Sequence, residues 1–274
     1  MRRCHLVVSI LTILFLSLTL SSCGGNAAAS NKTPVATGLG ASPSPTPAAS
    51  PTPSAGATVL DNVEDTGTWL TCGNCGNDGA TGPTAGFSFT PGVASPSEDG
   101  SSTQFSIAAS VPFTNAYFYQ QHTPVTNQIS ALTYEFDVYI PSGMETSPQG
   151  IEFECQQILD GWAYNFGWQA LYPDKIWRIF DYGLKRWDSA NVAFTGFAPG
   201  TWHHILAEYH NDVTAHTIIH DALTVDGTRF PVNITHNALN AGGGNQFTNA
   251  VQLDSNINAV PYSIYVDRMR ITYK

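Results

Sequence analysis

The chain has 274 residues, of which 12% are charged, and its 21 acidic and 11 basic side chains give a formal net charge of −10. The shortage of Lys and Arg argues against a nucleic-acid partner, because contacts to phosphates dominate such binding. It argues equally against electrostatic docking on anionic lipid.

The first 22 residues have the organisation of an export signal. Two arginines precede an apolar run over residues 6–20, which is too short and wrongly flanked for a stable membrane span. The segment Leu-Ser-Ser-Cys-Gly at residues 20–24 resembles the bacterial lipobox. The resemblance implies that Cys23 is lipidated, becomes the first mature residue and anchors the chain to a bilayer of the cell envelope. With Gly24 after the cysteine and no Asp retention signal, it implies the outer membrane where one exists, and otherwise the outer face of the plasma membrane.

Residues 23–57 are predicted to form a tether. Pro alternates with Ser and Thr at 42–47 and 50–53, a composition that favours extended polyproline II over a packed core. About 30 residues at ~3.1 Å each would hold the next domain up to about 90 Å from the membrane. We therefore expect a signal peptide over 1–22, a lipidated tether over 23–57 and one folded domain over 58–274.

Three further cysteines follow the tether. Cys72 and Cys75 enclose Gly and Asn, which predicts a loop closed by a short disulfide in an oxidising compartment. No βαβ pattern surrounds this pair, which argues against a redox motif, and two cysteines alone do not make a zinc site. Cys155 falls in an alternating strand pattern and is expected to be a buried thiol.

From residue 58 onward, short apolar segments alternate with Gly, Pro, Asn and Asp, which predicts successive strands and no strong helix. Ten or so strands cannot stay in one flat sheet, so we expect an all-β fold of two packed antiparallel sheets, a β-sandwich of the jelly-roll kind. The predicted strands are 104–108, 116–121, 132–140, 150–157, 164–170, 175–181, 202–210, 215–223, 228–233 and 262–272.

Four segments carry a resemblance to a known superfamily. Residues 60–65 with Trp69 resemble the opening strand of carbohydrate-binding jelly rolls, and residues 265–271 resemble their closing strand. Residues 134–141 and 200–205 are similar to strands of the concanavalin A-like lectin and glucanase superfamily. The resemblance implies a concanavalin A-like jelly roll, but it leaves function open because this fold hosts lectins, hydrolases, lyases and inert modules.

Alternate residues of a strand share a face, so several predicted strands separate apolar from polar side chains. A polar face with aromatic rings nearby suits a neutral glycan, because carboxylates and amides hydrogen-bond hydroxyls and rings stack on pyranoses. The predicted glycan-binding face comprises Asp137, Glu152, Glu154, Gln156, Gln169 and Arg178. The expected stacking rings, in predicted loops, are Trp162, Tyr172 and Trp187. The favoured hypothesis is thus a non-catalytic module that binds glycan or polysaccharide.

A glycoside hydrolase on the same fold is the first rival hypothesis. Laminarinase-type enzymes carry Glu-x-Asp-x-Glu on one strand, and the similar segment here reads Glu152-x-Glu154-x-Gln156. Glu152 and Glu154 are therefore the candidate catalytic pair, although Gln156 stands where the family has its acid/base and cannot transfer the proton. A polysaccharide lyase is the second rival hypothesis, and a structural envelope protein without a glycan site is the third.

Two patterns bear on metal binding. His216 and His220 lie four residues apart on one predicted strand and therefore about 13 Å apart, too far to share an ion. Related jelly rolls hold a structural Ca²⁺ between the first and last strands, and this resemblance implies Glu64 and Asp267 as ligands, with Asp61 as a further candidate. Oxygen ligands suit this hard cation. We expect a structural Ca²⁺, with solvated acids as the competing interpretation.

Overall fold

The part of the chain that this computed structural model describes comprises residues 52–73, 86–109, 111–212 and 214–274. The signal segment, Cys23, almost all of the tether and Cys75 lie outside the described residues. The lipidation and the Cys72–Cys75 disulfide therefore stay predictions. Within the described residues, no helix is long and apolar enough to cross a membrane.

The described residues form two antiparallel sheets, each of eight strands, numbered here in chain order. Sheet A contains, in spatial order, β13 (Thr228–Asn237), β12 (Thr217–Val225), β11 (Trp202–Asp212), β6 (Ala131–Tyr139), β16 (Tyr262–Tyr273), β4 (Ser102–Ala108) and β3 (Gly86–Val93), with β1 (Thr58–Leu60) paired to β16. Sheet B contains β10 (Arg186–Ala193), β9 (Ile176–Asp181), β8 (Trp162–Leu171), β7 (Pro148–Leu159), β15 (Gln246–Ser255), β5 (Asn115–His122) and β2 (Leu70–Gly73), with β14 (Leu239–Asn240) paired to β8. Successive strands from β4 to β7 alternate between the sheets, and the predicted jelly-roll sandwich is confirmed.

The core lies between the two sheets and follows from strand alternation. In β7, Ile151, Phe153 and Cys155 are at most 1% exposed, and their polar neighbours face outward. Phe136 of β6 stacks on Phe153 with ring centroids 4.1 Å apart, which joins sheet A to sheet B. Burying such a side chain contributes about 1.5–3 kcal/mol. Cys155 is the expected buried thiol, and burial raises its pKa well above the ordinary value.

All ten predicted strands overlap observed strands, with shifted ends. The main omission is β15, which lies in the middle of sheet B between β7 and β5. Its alternating Phe247, Val251 and Leu253 are buried, but Asn, Thr and Gln interrupt them and three glycines precede the strand. Because these residue types are typical of turns, the alternation of apolar residues in β15 does not stand out in the sequence. Strands β3 and β10 were also not predicted.

The predicted opening strand over residues 60–65 is wrong for most of its length. Strand β1 ends at Leu60, and Val63–Thr66 forms a 3-10 helix. Asn62, just before it, adopts a left-handed backbone with φ of 48°, a conformation that Asn tolerates better than most residues. The turn brings the Glu64 carbonyl to the Trp69 indole, which donates a 2.9 Å hydrogen bond to it.

Candidate functional site

A row of polar side chains crosses the outer face of sheet B. The strand register pairs Gln252 of β15 with Glu152 of β7, Glu152 with Gln169 of β8, and Gln169 with Arg178 of β9. These four residues are called the polar strip below. Neighbouring strands lie about 4.8 Å apart, so the polar strip is about 15 Å long.

Hydrogen bonds join the polar strip to Asp254. The Gln169 Nε2 donates to Glu152 Oε1 at 2.6 Å and to Asp254 Oδ2 at 3.2 Å. The Gln169 Oε1 accepts from Arg178 Nε at 2.9 Å, and Gln252 Nε2 donates to Asp254 Oδ1 at 2.9 Å. Glu152 and Gln169 are only 5% and 3% exposed, whereas Gln252 and Arg178 are half-buried. The two inner groups therefore hold the two outer groups in place.

The carboxyl groups of this face have raised pKa values. Burial, followed by the negative charges of Asp254 and Glu154, raises the pKa of Glu152 well above its ordinary value. Burial likewise raises the pKa of Glu154, and it raises the pKa of Asp254 to about 6. The folded protein thus makes ionisation of these carboxyl groups less favourable than it is in water. A neutral carboxyl group can donate a hydrogen bond as well as accept one.

Aromatic rings lie at both ends of this face. Tyr117 and Tyr119 of β5 are half-buried, with ring centroids 5.6 Å apart and planes at 31°. At the other end, Trp187 of β10 packs on Phe180 with centroids 5.0 Å apart. The Arg178 guanidinium lies 5.5 Å from the centroid of the Trp187 ring. Partly exposed rings therefore border the polar strip on both sides.

Small residues keep the surface low between these rings. Ala250 and Gly167 are the register partners of Glu154 on the two neighbouring strands. A Cβ at Gly167 would lie 2.7 Å from Asn165 Oδ1 and 3.4 Å from Phe180 Cβ, so a larger residue there would displace the Asn165 amide. The Asn165 Oδ1 is buried and has no hydrogen-bond partner among the described residues. It is an acceptor that a ligand hydroxyl or a water could satisfy.

The structure brings five residues of the predicted polar face together and separates the sixth. Asp137 lies on β6 in sheet A, so its predicted place beside the other five is wrong. Strands β6 and β7 follow one another in sequence but belong to different sheets, and their outer faces point in opposite directions. The five that share the outer face of sheet B are Glu152, Glu154, Gln156, Gln169 and Arg178.

Of the three predicted stacking rings, Trp187 alone lies at this face, and it belongs to a strand rather than to a loop. Tyr172 is 6% exposed and packs against Phe194 with centroids 5.0 Å apart. Trp162 begins β8, packs against the core and stacks on His216 at 4.1 Å. The expected exposed position of Tyr172 is therefore wrong, because neighbouring rings cover it, whereas Trp162 is half-buried and lies away from the polar strip.

Several residues of this face were not predicted. Tyr117 and Tyr119 alternate with the buried Phe118 in a strand that was predicted, so their outward direction could have been read from the sequence. Gln252 and Asp254 could not, because β15 itself was not predicted.

The outer face of sheet A carries acidic residues too, but cations lie between them. The His204 ring nitrogens lie 3.2 Å from Glu135 Oε1 and 3.0 Å from Asp137 Oδ1. The Arg268 Nε lies 2.5 Å from Asp137 Oδ2, and its Nη2 contacts Glu98. These five residues are called the charged network below. Burial alone would lower the pKa of His204, but the Asp137 and Glu135 carboxylates raise it to about 9.

The three predicted calcium ligands have different surroundings. Asp61 accepts two hydrogen bonds from Arg270, at 2.8 and 3.0 Å, so its carboxylate is already paired with a side-chain cation. Glu64 and Asp267 are fully buried. The Glu64 Oε2 accepts the Met269 amide at 2.9 Å, but its Oε1 has no partner among the described residues. Burial, together with the charge of Asp267, raises the pKa of Glu64 to about 8. Both Asp267 oxygens already accept hydrogen bonds, so the unpartnered Glu64 Oε1 is the oxygen that a hard cation could bind.

No protein-family model matches this chain, and neither does any curated protein. Solved structures of similar backbone include carbohydrate-binding modules and lectins. A family 11 carbohydrate-binding module from Clostridium thermocellum, in complex with a β-1,3-1,4-mixed-linked tetrasaccharide, is 12% identical, with 78% of this chain and 94% of that chain covered and a TM-score of 0.40. Arcelin-5, a lectin-like defence protein from Phaseolus vulgaris, is 9% identical, with 80% and 99% covered and a TM-score of 0.45.

A structure from work on carbohydrate-binding modules of the β-sandwich superfamily is 14% identical, with 75% of this chain covered and a TM-score of 0.39. The match covers 57% of that other chain, so this protein spans just over half of its length. At such identities and scores, these similarities assign no activity.

Proposed function

We propose that the outer face of sheet B binds a neutral glycan without cleaving it. The observation that carries the proposal is the polar strip, bordered by Tyr117 and Tyr119 at one end and by Trp187 at the other. Amide, guanidinium and carboxyl groups exchange hydrogen bonds with sugar hydroxyls, and aromatic rings cover the apolar faces of pyranoses.

The half-buried residues of this face are the ones that would touch the glycan. Arg178 and Gln252 would bind hydroxyls, and the rings would stack on sugar faces. Glu152 and Gln169 lie beneath them and fix the direction of Arg178, since Gln169 Oε1 accepts from its guanidinium. Preorganised groups of this kind lose less entropy on binding.

The charges of the face favour a neutral ligand. Burial already disfavours the ionised forms of Glu152, Glu154 and Asp254. A uronic acid or sulfated polymer would bring more negative charge to these groups, with Arg178 as the cation of the polar strip. A chain of uncharged sugars avoids that repulsion.

Binding fits the geometry better than hydrolysis does. A retaining glycosidase needs an ionised nucleophile that reaches the anomeric carbon. Glu152 is 5% exposed and accepts a hydrogen bond from Gln169, and burial raises its pKa well above the ordinary value. Gln156, at the position of the family's acid/base, carries an amide and its side chain hydrogen-bonds Tyr182.

The proposal is tested by measuring binding of the purified protein to a panel of neutral and anionic polysaccharides, with released reducing ends assayed in the same tubes. We expect binding to at least one neutral polymer, no released ends, and at least tenfold weaker binding by Arg178→Ala. Arg229→Ala is the matched control, because Arg229 pairs with Glu208 on the exposed surface of sheet A. Released ends would make the protein a hydrolase, and unchanged binding by Arg178→Ala would place the site elsewhere.

We also propose that Cys23 anchors the domain to the bacterial envelope and that the Pro-rich tether carries the glycan-binding face outward. The lipobox-like segment at residues 20–24 supports this proposal. Metabolic labelling with a fatty-acid analogue is expected to mark the wild-type chain and not Cys23→Ala. Equal labelling of both would contradict it.

A structural Ca²⁺ near Glu64 and Asp267 is a further proposal, supported by the unpartnered Glu64 Oε1. Here Ca²⁺ would neutralise two buried carboxylates and raise stability by mass action. Calcium is expected to raise the Tm of the wild type and not that of Glu64→Gln. An equal rise in both proteins would contradict a site at Glu64.

A further inference from the structure

A second polar cluster lies far from the polar strip in sequence, at the edge where the two sheets come together. Among the described residues, one group of three His, Cys, Asp or Glu side chains has ligand atoms all within 4.8 Å of one another: Asp181, Asp188 and His236. Asp181 ends β9 and Asp188 lies on the edge strand β10, both in sheet B. His236 lies on β13, the edge strand of sheet A. The cluster therefore bridges the two sheets.

The three side chains are largely enclosed. Asp181 and His236 are each 6% exposed, while Asp188 remains partly open to solvent. The His236 Nε2 lies 3.4 Å from Asp188 Oδ2. The Asp181 Oδ1 accepts the Leu184 amide at 2.9 Å, which orients the carboxylate. An entry path exists on the Asp188 side, and the protein already holds the ligand atoms close together.

Unpartnered nitrogens mark the inner wall of this cluster. The His236 Nδ1 is buried and has no hydrogen-bond partner among the described residues. The next ring inward is His220, which is fully buried, has neither nitrogen partnered within the described residues, and lies 5.3 Å from the His236 ring. Buried polar atoms are rarely left without a partner.

We propose that Asp181, Asp188 and His236 bind a divalent transition cation of the Zn²⁺ type and thereby tie β10 and β13 together. Imidazole nitrogen with carboxylate oxygens suits Zn²⁺ and its neighbours, whereas Ca²⁺ takes oxygen ligands alone. The cation would neutralise two carboxylates that stand close together. Arg186 contacts both carboxylate oxygens of Asp188, with Nε 3.0 Å from Oδ1 and Nη2 3.2 Å from Oδ2, so the cation would have to displace it. Arg186 is largely exposed, so the cation displaces a weak surface pair.

The site is separate from the proposed glycan-binding face and from the proposed calcium site. Asp188 belongs to the inward-facing row of β10, and its register partner is the buried Ile179. The preceding residue, Trp187, faces outward against Phe180. A metal at the edge would hold β10, and with it Trp187, in a fixed position without touching the glycan.

The test is a thermal-unfolding series on the purified, chelator-treated protein with ZnCl₂ or CaCl₂, together with titration calorimetry of Zn²⁺. We expect Zn²⁺ at a concentration well above its Kd to raise Tm by roughly 3 °C or more. His236→Gln is expected to abolish the Zn²⁺ effect and to leave any Ca²⁺ effect unchanged. Asp188→Asn, a milder change at a partly exposed position, is expected to weaken Zn²⁺ binding at least tenfold and covers the case in which His236→Gln fails to fold.

The matched control is His210→Gln. His210 pairs with Asp221 at 2.6 Å on the surface of sheet A, and within the described residues this imidazole and carboxylate belong to no group of three candidate ligands. It is expected to keep the full Zn²⁺ effect. The proposal is overturned if Zn²⁺ leaves Tm unchanged, if Asp188→Asn binds Zn²⁺ as the wild type does, or if His210→Gln loses the effect.

Discussion

The outer faces of the two sheets carry similar acidic pairs in very different surroundings. Glu135 and Asp137 lie two residues apart on β6, and Glu152 and Glu154 lie two residues apart on β7. In sheet A, His204 contacts Glu135 and Asp137, Arg268 contacts Asp137, and these cations neutralise the two acids. In sheet B, amides and a single arginine of the polar strip surround the acids, and burial raises their pKa values.

This difference shows what separates a structural charge cluster from a binding surface. The charged network satisfies its own acceptors, so a ligand has little to gain there. The outer face of sheet B keeps half-buried groups and rings that have room for a partner. An acid pair two residues apart on a strand does not by itself indicate a binding site. The cations on neighbouring strands decide between the two outcomes.

The largest expected effect is on stability, from Asp137→Asn. The substitution removes the negative charge that Arg268 and His204 share, and it leaves Arg268 with Glu98 and His204 with Glu135 as their remaining acidic partners. We expect the free energy of unfolding at pH 7 to fall by about 2–4 kcal/mol, with glycan affinity unchanged. Urea unfolding measures the first quantity. A loss below about 0.5 kcal/mol, the usual range for surface substitutions, would contradict the role given to the charged network.

The next effect concerns binding and compares one ring from each face. Trp187→Ala is expected to lower glycan affinity at least tenfold, about 1.4 kcal/mol, because a stacking ring is lost. Trp202→Ala, on the outer face of sheet A beside Tyr139, is expected to leave the affinity unchanged. Titration calorimetry with a bound oligosaccharide measures both. Equal losses in the two variants would remove the distinction between the faces.

A smaller effect follows from the titration of His204. Its folded pKa of about 9 exceeds the ordinary value of 6.5, so its stabilising charge is fully present below pH 6.5 and is lost as pH rises through 9. The stability difference between wild type and His204→Gln should therefore shrink by about 1 kcal/mol from pH 7 to pH 8. Other groups that titrate in both proteins, such as Glu64, contribute equally to the two stabilities, so their contributions cancel in this difference. A constant difference over this range would argue against a charged His204.

The smallest expected effect is from Glu152→Gln. Burial raises the pKa of Glu152 well above its ordinary value, so its negative charge is not expected to stabilise the fold, and the amide can still accept from Gln169 and donate to Asp254. We expect the free energy of unfolding at pH 7 to change by less than about 1 kcal/mol. Asp137→Asn, the equivalent substitution in sheet A, is the comparison. A loss as large as that of Asp137→Asn would show that Glu152 is held as a carboxylate.

Local alternation was sufficient to predict the fold class and the direction of most site residues. Ile151, Phe153 and Cys155 are buried, and the polar residues between them face outward. Alternation could not predict which strands are neighbours. Strand β15 lies between β7 and β5 although almost ninety residues of sequence separate it from β7. Strand β6 lies in sheet A, although the prediction groups its Asp137 with residues of sheet B. The cluster at Asp181, Asp188 and His236 was not predicted for the same reason, because it forms only where two sheet edges meet.

The most direct test of the account observes the tryptophan indole N–H signals of ¹⁵N-labelled protein while a neutral oligosaccharide is added. Trp187 and Trp202 are half-buried on the outer faces of sheets B and A, and Trp187→Phe and Trp202→Phe assign their signals. The account predicts that the Trp187 signal shifts in a saturable way and that the Trp202 signal stays in place. A shift of Trp202 with Trp187 unchanged would contradict the central claim that the outer face of sheet B is the binding face.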